Sequence, residues 1–276
     1  MQIRLRVSRF AVMALLAVLA LILTPNEFAQ SPQQPPAARI DTAKLIASLT
    51  GVWGAPKEEQ KGKFVTQKDE PMPLSKWGQG QYNYNHDFTQ VPGAFDYDRR
   101  GRNELDPSSH CFPPGPTRTI NSVGSGEMGT GPLYIVPFQK EILFIYESGE
   151  QVRHIWTDGR QHPSPDQLDL SWGGHSIGQW DGDTFVVDTI GIRDETWLDS
   201  TGHAHSDQLH VVEHYRRINQ DVLQLDVTIE DPKALTKPWT QHKAYWSRPD
   251  LEMIEDVICT GKYRKGVYLG EGPAGL

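Results

Sequence analysis

Cysteine is scarce in this chain: Cys111 and Cys259 are the only two in 276 residues. Two thiols exclude a disulfide scaffold and a four-thiolate metal centre. Basic residues are outnumbered, 27 Lys and Arg against 35 Asp and Glu, for a net charge of −8. That balance argues against nucleic acid or an anionic membrane surface as the main partner. The only extended apolar run, Phe10 to Leu23, has 14 residues, which is short for a bilayer span. The chain has no Gly-rich phosphate loop, no G-x-S-x-G elbow, no H-E-x-x-H and no internal repeat. What it does have is 25 Gly, 20 Pro, 8 Trp, 9 Tyr and 9 Phe, with 37% hydrophobic residues overall. This composition can bury a core, and it fits a turn-rich, strand-rich domain better than a helical bundle.

The N-terminus reads as a secretory signal over residues 1–29. Arg4, Arg6 and Arg9 precede the apolar run, and cleavage is expected after Ala29. A retained anchor is the alternative, because Glu27 stands where a small residue is preferred. Removing the segment takes away three arginines and one glutamate, which shifts the net charge from −8 to −10. The expected location is periplasmic or secreted, with no stable membrane insertion once the signal is gone. In that compartment Cys111 and Cys259 can form a bridge, worth about 4–5 kcal/mol in the chain-entropy model. Two buried free thiols are the other outcome.

Residues 30–40 form a Pro- and Gln-rich linker. Residues 41–125 read as a short helix, Asp41 to Leu49, followed by an irregular segment packing on the main domain. Residues 126–265 form that domain, and 266–276 a tail. Within it, strand-like runs alternate with turn signals as four hairpins. They turn at Ser148-Gly149, at Asp181-Gly182, at Asn219 to Asp221 and at Arg248 to Asp250, the last continuing to Cys259. Eight strands in up-and-down order predict a mainly β, antiparallel barrel, closed so that no edge is left exposed.

Turn length fixes which residues face each other. Through Asp181-Gly182, paired positions sum to 363, which sets His175 opposite Asp188. A carboxylate facing an imidazole orients it and raises its pKa, as a general base requires. An exposed cross-strand pair is the bland version. In the third hairpin a sum of 440 places Glu213 alone on an apolar face, with His210 opposite Glu230 and His214 opposite Asp226 on a solvated face. In the first hairpin a sum of 297 sets Tyr146 opposite Gln151 and Phe144 opposite Arg153. Arg153 inside the barrel beside Glu213 is either a bracing ion pair or a substrate clamp. The stretch from Thr201 to His210 offers His203 and His205 at a spacing that suits two metal ligands on one extended segment.

Several blocks then carry a resemblance. They are CFPPGPTR (Cys111 to Arg118), VRHIWTDGRQHP (Val152 to Pro163), GHSIGQWDGDTFVVDTIGI (Gly174 to Ile192), TWLDSTGHAHSDQLHVVEHY (Thr196 to Tyr215) and IEDPKALTKPW (Ile229 to Trp239). In this order they resemble a family of exported bacterial proteins that look like lipocalin-like (calycin) β-barrels. The resemblance implies a barrel and export, and it implies no reaction.

Three functions follow as expectations. The first is an enzyme acting on a small, partly apolar molecule as a hydrolase, lyase or isomerase. His175 would be the base, Asp188 its orienter and Glu213 the acid, with Tyr146, Arg153, Trp180 and Phe185 binding substrate. The second is a carrier of a hydrophobic ligand, lined by Trp180, Phe185, Val187 and Trp246. The third is a metal-dependent protein built on His203 and His205. No organic cofactor is expected, and a metal ion is the one candidate.

Overall fold

The computed structural model describes residues 42–85, 106–110, 112–122, 132–147, 149 and 151–254. The expected signal segment, the linker, the C-terminal tail and both cysteines lie outside the described residues, and so does the expected bridge. Among the described residues no helix is long and apolar enough to cross a membrane.

Among the described residues three α-helices, α1 (Thr42–Leu49), α2 (Lys76–Asn85) and α3 (Gly115–Ser122), accompany nine strands. The strands are β1 (Gly51–Gly54), β2 (Leu133–Phe138), β3 (Glu141–Tyr146), β4 (Gln151–Trp156), β5 (His175–Asp181), β6 (Thr184–Ile190), β7 (His210–Arg217), β8 (Val222–Glu230) and β9 (Trp239–Ser247). They form a closed barrel in sequence order, β9 pairing back onto β1. Alternation along each strand sends one face inward. Ile142, Phe144 and Tyr146 of β3, Phe185 and Val187 of β6, Val211 and Tyr215 of β7 and Leu225, Val227 and Ile229 of β8 are all fully buried. Trp53, Tyr146, Tyr215, Tyr245, Phe144 and Phe185 are among the largest of these side chains. The interior is therefore a packed core.

The first and third hairpins have the registers expected. Glu141 pairs with Trp156 and Tyr146 with Gln151, while His210 pairs with Glu230 and His214 with Asp226. The second is displaced by two residues. Asp181 pairs with Thr184, so the turn is Gly182-Asp183, and His175 faces Ile190 instead of Asp188. Gly182 takes φ +60° at the first central position of that turn. In the expected register Asp181 would have to adopt positive φ there, which glycine does at no steric cost.

Of the fourth expected hairpin, residues 255–259 lie outside the described residues, and the described part is not paired as expected. β9 ends at Ser247, and Leu251 to Ile254 are not strand. A strand has two edges, and those of β9 are taken by β8 and by β1, through Trp53–Ser247 and Gly54–Trp246. The closing strand thus comes from the segment 41–125 that was expected to be helical and irregular.

The up-and-down expectation also fails at one seam. β4 and β5 run parallel, paired only at Ile155–Ser176 and Trp156–Ile177. A parallel neighbour cannot follow a tight turn, and the connection 157–174 crosses over. Because so few pairs join these strands, the first half of β4 lies beside that connection and not beside β5.

Candidate functional site

Arg153 is 2% exposed and Glu213 is 0% exposed. The guanidinium meets the carboxylate in a fork, Nη1 to Oε1 at 3.0 Å and Nη2 to Oε2 at 2.6 Å. Such bidentate pairing is what desolvated charges need. Nη1 also donates to the Tyr146 hydroxyl at 3.3 Å, and Nη2 reaches Ser176 Oγ at 3.3 Å and Thr189 Oγ1 at 3.2 Å. The Tyr215 hydroxyl donates to Glu213 Oε1 at 2.6 Å. Burial pulls the Arg153 pKa down, but Glu213, Tyr146 and Tyr215 together outweigh it and hold the group well above its ordinary value. Burial pushes Tyr146, Tyr215 and Tyr245 up. This network sits within the barrel wall and core. Glu213, expected as an acid, has its two oxygens engaged by Arg153 and Tyr215. Trp180 and Phe185 pack on one another with ring centroids 5.0 Å apart.

Ser176 and Thr189 face inward, so their neighbours His175 and Asp188 face outward. The expected inward pair is therefore overturned, and alternation is the reason: inward positions on β5 and β6 are taken by Ser176, Thr189, Phe185 and Val187. The two groups are nonetheless joined. His162, in the 157–174 connection, places Nδ1 2.8 Å from His175 Nδ1 and Nε2 3.0 Å from Asp188 Oδ1. On the other side His210 Nε2 lies 2.9 Å from the same oxygen, and His210 Nδ1 lies 3.4 Å from Glu230 Oε2. His210 is thus half-buried by its contact with Asp188, where a fully solvated face was expected.

Proton positions follow from this chain. The hydrogen bond from His210, opposed by burial, lowers the Asp188 pKa, so it is an acceptor. His162 must then donate from Nε2, and in its neutral form it accepts at Nδ1 from the His175 Nδ1–H. That leaves the His175 Nε2 lone pair free. Burial first, then His162 and Arg160, lowers the His175 pKa, so the ring is unprotonated near neutral pH.

His175 also lines a pocket of about 470 Å³ at the loose β4/β5 seam. Gln151, Arg153, His154 and Trp156 line one side, and Asp169, Ser171, Trp172, Gly173 and Gly174 the other. Glu213, Trp180, Phe185 and Tyr146 are not part of its lining. Gln151 is 5% exposed, and neither atom of its amide has a hydrogen-bond partner. Arg153 Nε likewise has none.

His203 and His205 diverge. His203 Nδ1 lies 2.6 Å from Asp199 Oδ2, and its ring stacks on Tyr82. His205, 2% exposed, contacts the Ser206 carbonyl through Nδ1 at 2.9 Å and Thr196 Oγ1 through Nε2 at 2.7 Å. The expected shared ligand role is not what this geometry provides, and no cluster of three or more ligating groups occurs among the described residues. Sequence reasoning missed His162 and Gln151 as site residues. His162 sits in an aperiodic connection, where no register links it to Asp188. Gln151 was placed correctly opposite Tyr146, but an amide carries no charge to mark it.

The hydrogen bond to Asp188 raises the His210 pKa, against the effect of burial. The stabilisation from this contact is therefore full below the unfolded value of about 6.5 and fades as pH rises through the raised one. The gap in melting temperature between the parent protein and His210→Gln is expected to be widest in mild acid and to shrink toward pH 8. A gap that grows with pH would mean the contact is not charge-assisted.

Compared with protein-family models, curated proteins and solved structures, the chain matches none.

Proposed function

We propose that this is an exported, lipocalin-like barrel protein that binds a small, partly apolar organic molecule at the β4/β5 seam and acts on it by acid–base chemistry. The observation that carries the reading is the hydrogen-bonded chain His175–His162–Asp188, which ends in a pocket-lining imidazole. His175 Nε2 takes a proton from the substrate or from an attacking water. His162 and Asp188 are positioning residues that hold the tautomer and stabilise the imidazolium as it forms. The reaction is a hydrolysis, elimination or isomerisation, each of which begins with such a transfer. Trp156, Trp172 and Pro113 give the pocket its apolar surface, while Arg153 and Glu213 brace the wall behind it.

A thermal-shift screen of the exported protein against pooled small metabolites tests this, since a ligand raises apparent stability by mass action. Turnover of a hit is expected to fall about 100-fold or more in His175→Gln, with binding kept. In His162→Phe the pH profile of turnover is expected to move. A hit that binds and is recovered unchanged makes the protein a carrier. Turnover indifferent to His175→Gln removes the mechanism.

A further inference from the structure

Resting on the pocket reading above, we infer that the site selects a neutral, amide-type head group, a carboxamide or the edge of a lactam, carried on a flat apolar body. The recognition element is Gln151. Its side chain is 5% exposed, yet its Oε1 and Nε2 atoms have no partner. A buried polar group without a hydrogen bond is destabilising, and native structures hold few of them. The residue next to it on the same face, Arg153, has both terminal nitrogens engaged by Glu213, Tyr146, Ser176 and Thr189, and only Nε–H left over. Just beneath the pocket lining therefore lie two kinds of unpaired donor, the Gln151 amide N–H and Arg153 Nε–H, and one unpaired acceptor, Gln151 Oε1.

Charge decides what this set prefers. The Arg153 guanidinium is already matched by Glu213 at 2.6 Å, so it has little attraction left for an anion, and Asp169 in the lining opposes one. A cation would come to rest beside the guanidinium. A neutral amide meets both requirements at once: its carbonyl accepts from the N–H groups and its own N–H donates to Gln151 Oε1. Two amides side by side form such a reciprocal pair.

Gly173 covers the amide. A Cβ at that position would lie 3.2 Å from Gln151 Nε2 and 3.7 Å from Arg153 Cγ. The first distance is tighter than an ordinary contact, so the Gly173 backbone packs against the amide, and only a residue without a side chain can pass it this closely. The Gln151 amide itself is covered, but it makes no hydrogen bond that would be lost if it turned toward an incoming ligand. Trp156 and Trp172 in the lining supply apolar area for a planar body.

Benzamide, benzoate and benzylammonium share a body and differ in the head group, and their binding to the full exported protein can be measured by titration calorimetry. Benzamide is expected to bind at least tenfold more tightly than either ion. Gln151→Leu is expected to erase that preference while leaving the fold intact, as checked by its melting curve. Gly173→Val is expected to weaken all three. Equal or tighter binding of benzoate, a benzamide preference that survives Gln151→Leu, or no binding of any probe overturns the inference. The pocket reading is judged separately, by whether hits from the metabolite screen lose affinity in Gly173→Val. Should that variant not fold, Trp172→Ala serves in its place.

Discussion

Arg153→Met is expected to cost about 3–5 kcal/mol of stability at neutral pH, the usual consequence of stranding one partner of a buried ion pair. For a domain of this size that is a fall in melting temperature on the order of 10 °C. The stranded group is Glu213, with 0% exposure and only Tyr215 left to donate to it. A buried carboxylate can relieve its own cost by taking up a proton, so in this variant its pKa rises above the unfolded value of about 4.3. The sign of the pH dependence follows. A raised folded pKa means that the protonated form is favoured in the native state, so the variant's deficit relative to the parent is small in acid and grows as pH rises through the new pKa. Glu213→Leu strands Arg153 instead. A guanidinium cannot shed its proton in this range, so that deficit is expected to stay flat with pH. The double variant Arg153→Met/Glu213→Leu is expected to recover most of the loss, because a well-packed apolar pair often equals a buried ion pair. Urea denaturation of the four proteins at pH 5 and pH 8 measures all of this. Two single variants with identical pH dependence would mean that the fork is not the dominant interaction of either group.

The parts of this molecule that could be read in advance are those where a short turn joins two strands. Ser148-Gly149 and Asn219 to Asp221 fix their registers, and from these come the Tyr146–Gln151 and Phe144–Arg153 pairs and the placing of Glu213 on the buried face. The Asp181-Gly182 signal located its hairpin but misplaced the turn by one residue, because either residue can stand at a central position and only the backbone decides. Which face of β5 points inward was not legible, since apolar residues lie on both. The face that does point inward carries Ser176, and Arg153 Nη2 reaches its hydroxyl and that of Thr189 on β6. The parallel seam was hidden for a different reason. Residues 157–174 have no period, and nothing local reveals that a loop returns its chain to the same end of the sheet. His162 joins His175 to Asp188 only because that loop folds back, so the candidate site is a product of tertiary structure. β1 was equally silent: four residues bounded by glycines leave no alternation to count.

That short strand carries the last large effect. Trp53→Ala is expected to destabilise the protein by about 3–5 kcal/mol, the range for truncating a buried aromatic side chain. Trp53 is 1% exposed, and its Nε1 donates to the Leu49 carbonyl at 2.8 Å, tying the end of α1 to the barrel wall. The Arg217 guanidinium lies 5.0 Å from the centre of its ring and bonds Ser48 O as well, so the indole joins α1, β1 and β7. Few other bonds hold β1 in place: it meets β2 at three positions and β9 at two. Losing the indole removes the side chain that ties the strand to α1 and the core, and departure of the strand would leave β2 and β9 as open edges. Unpaired edges recruit other chains, so the variant is expected to associate as well as to melt early, with a light-scattering signal that rises with concentration. Trp53→Phe keeps a ring in the core but loses the bond to Leu49, and it is expected to fall between the two without associating. If Trp53→Ala melts early yet stays monomeric at every concentration, β1 keeps the barrel closed without its tryptophan, and the seal lies in the backbone pairing alone.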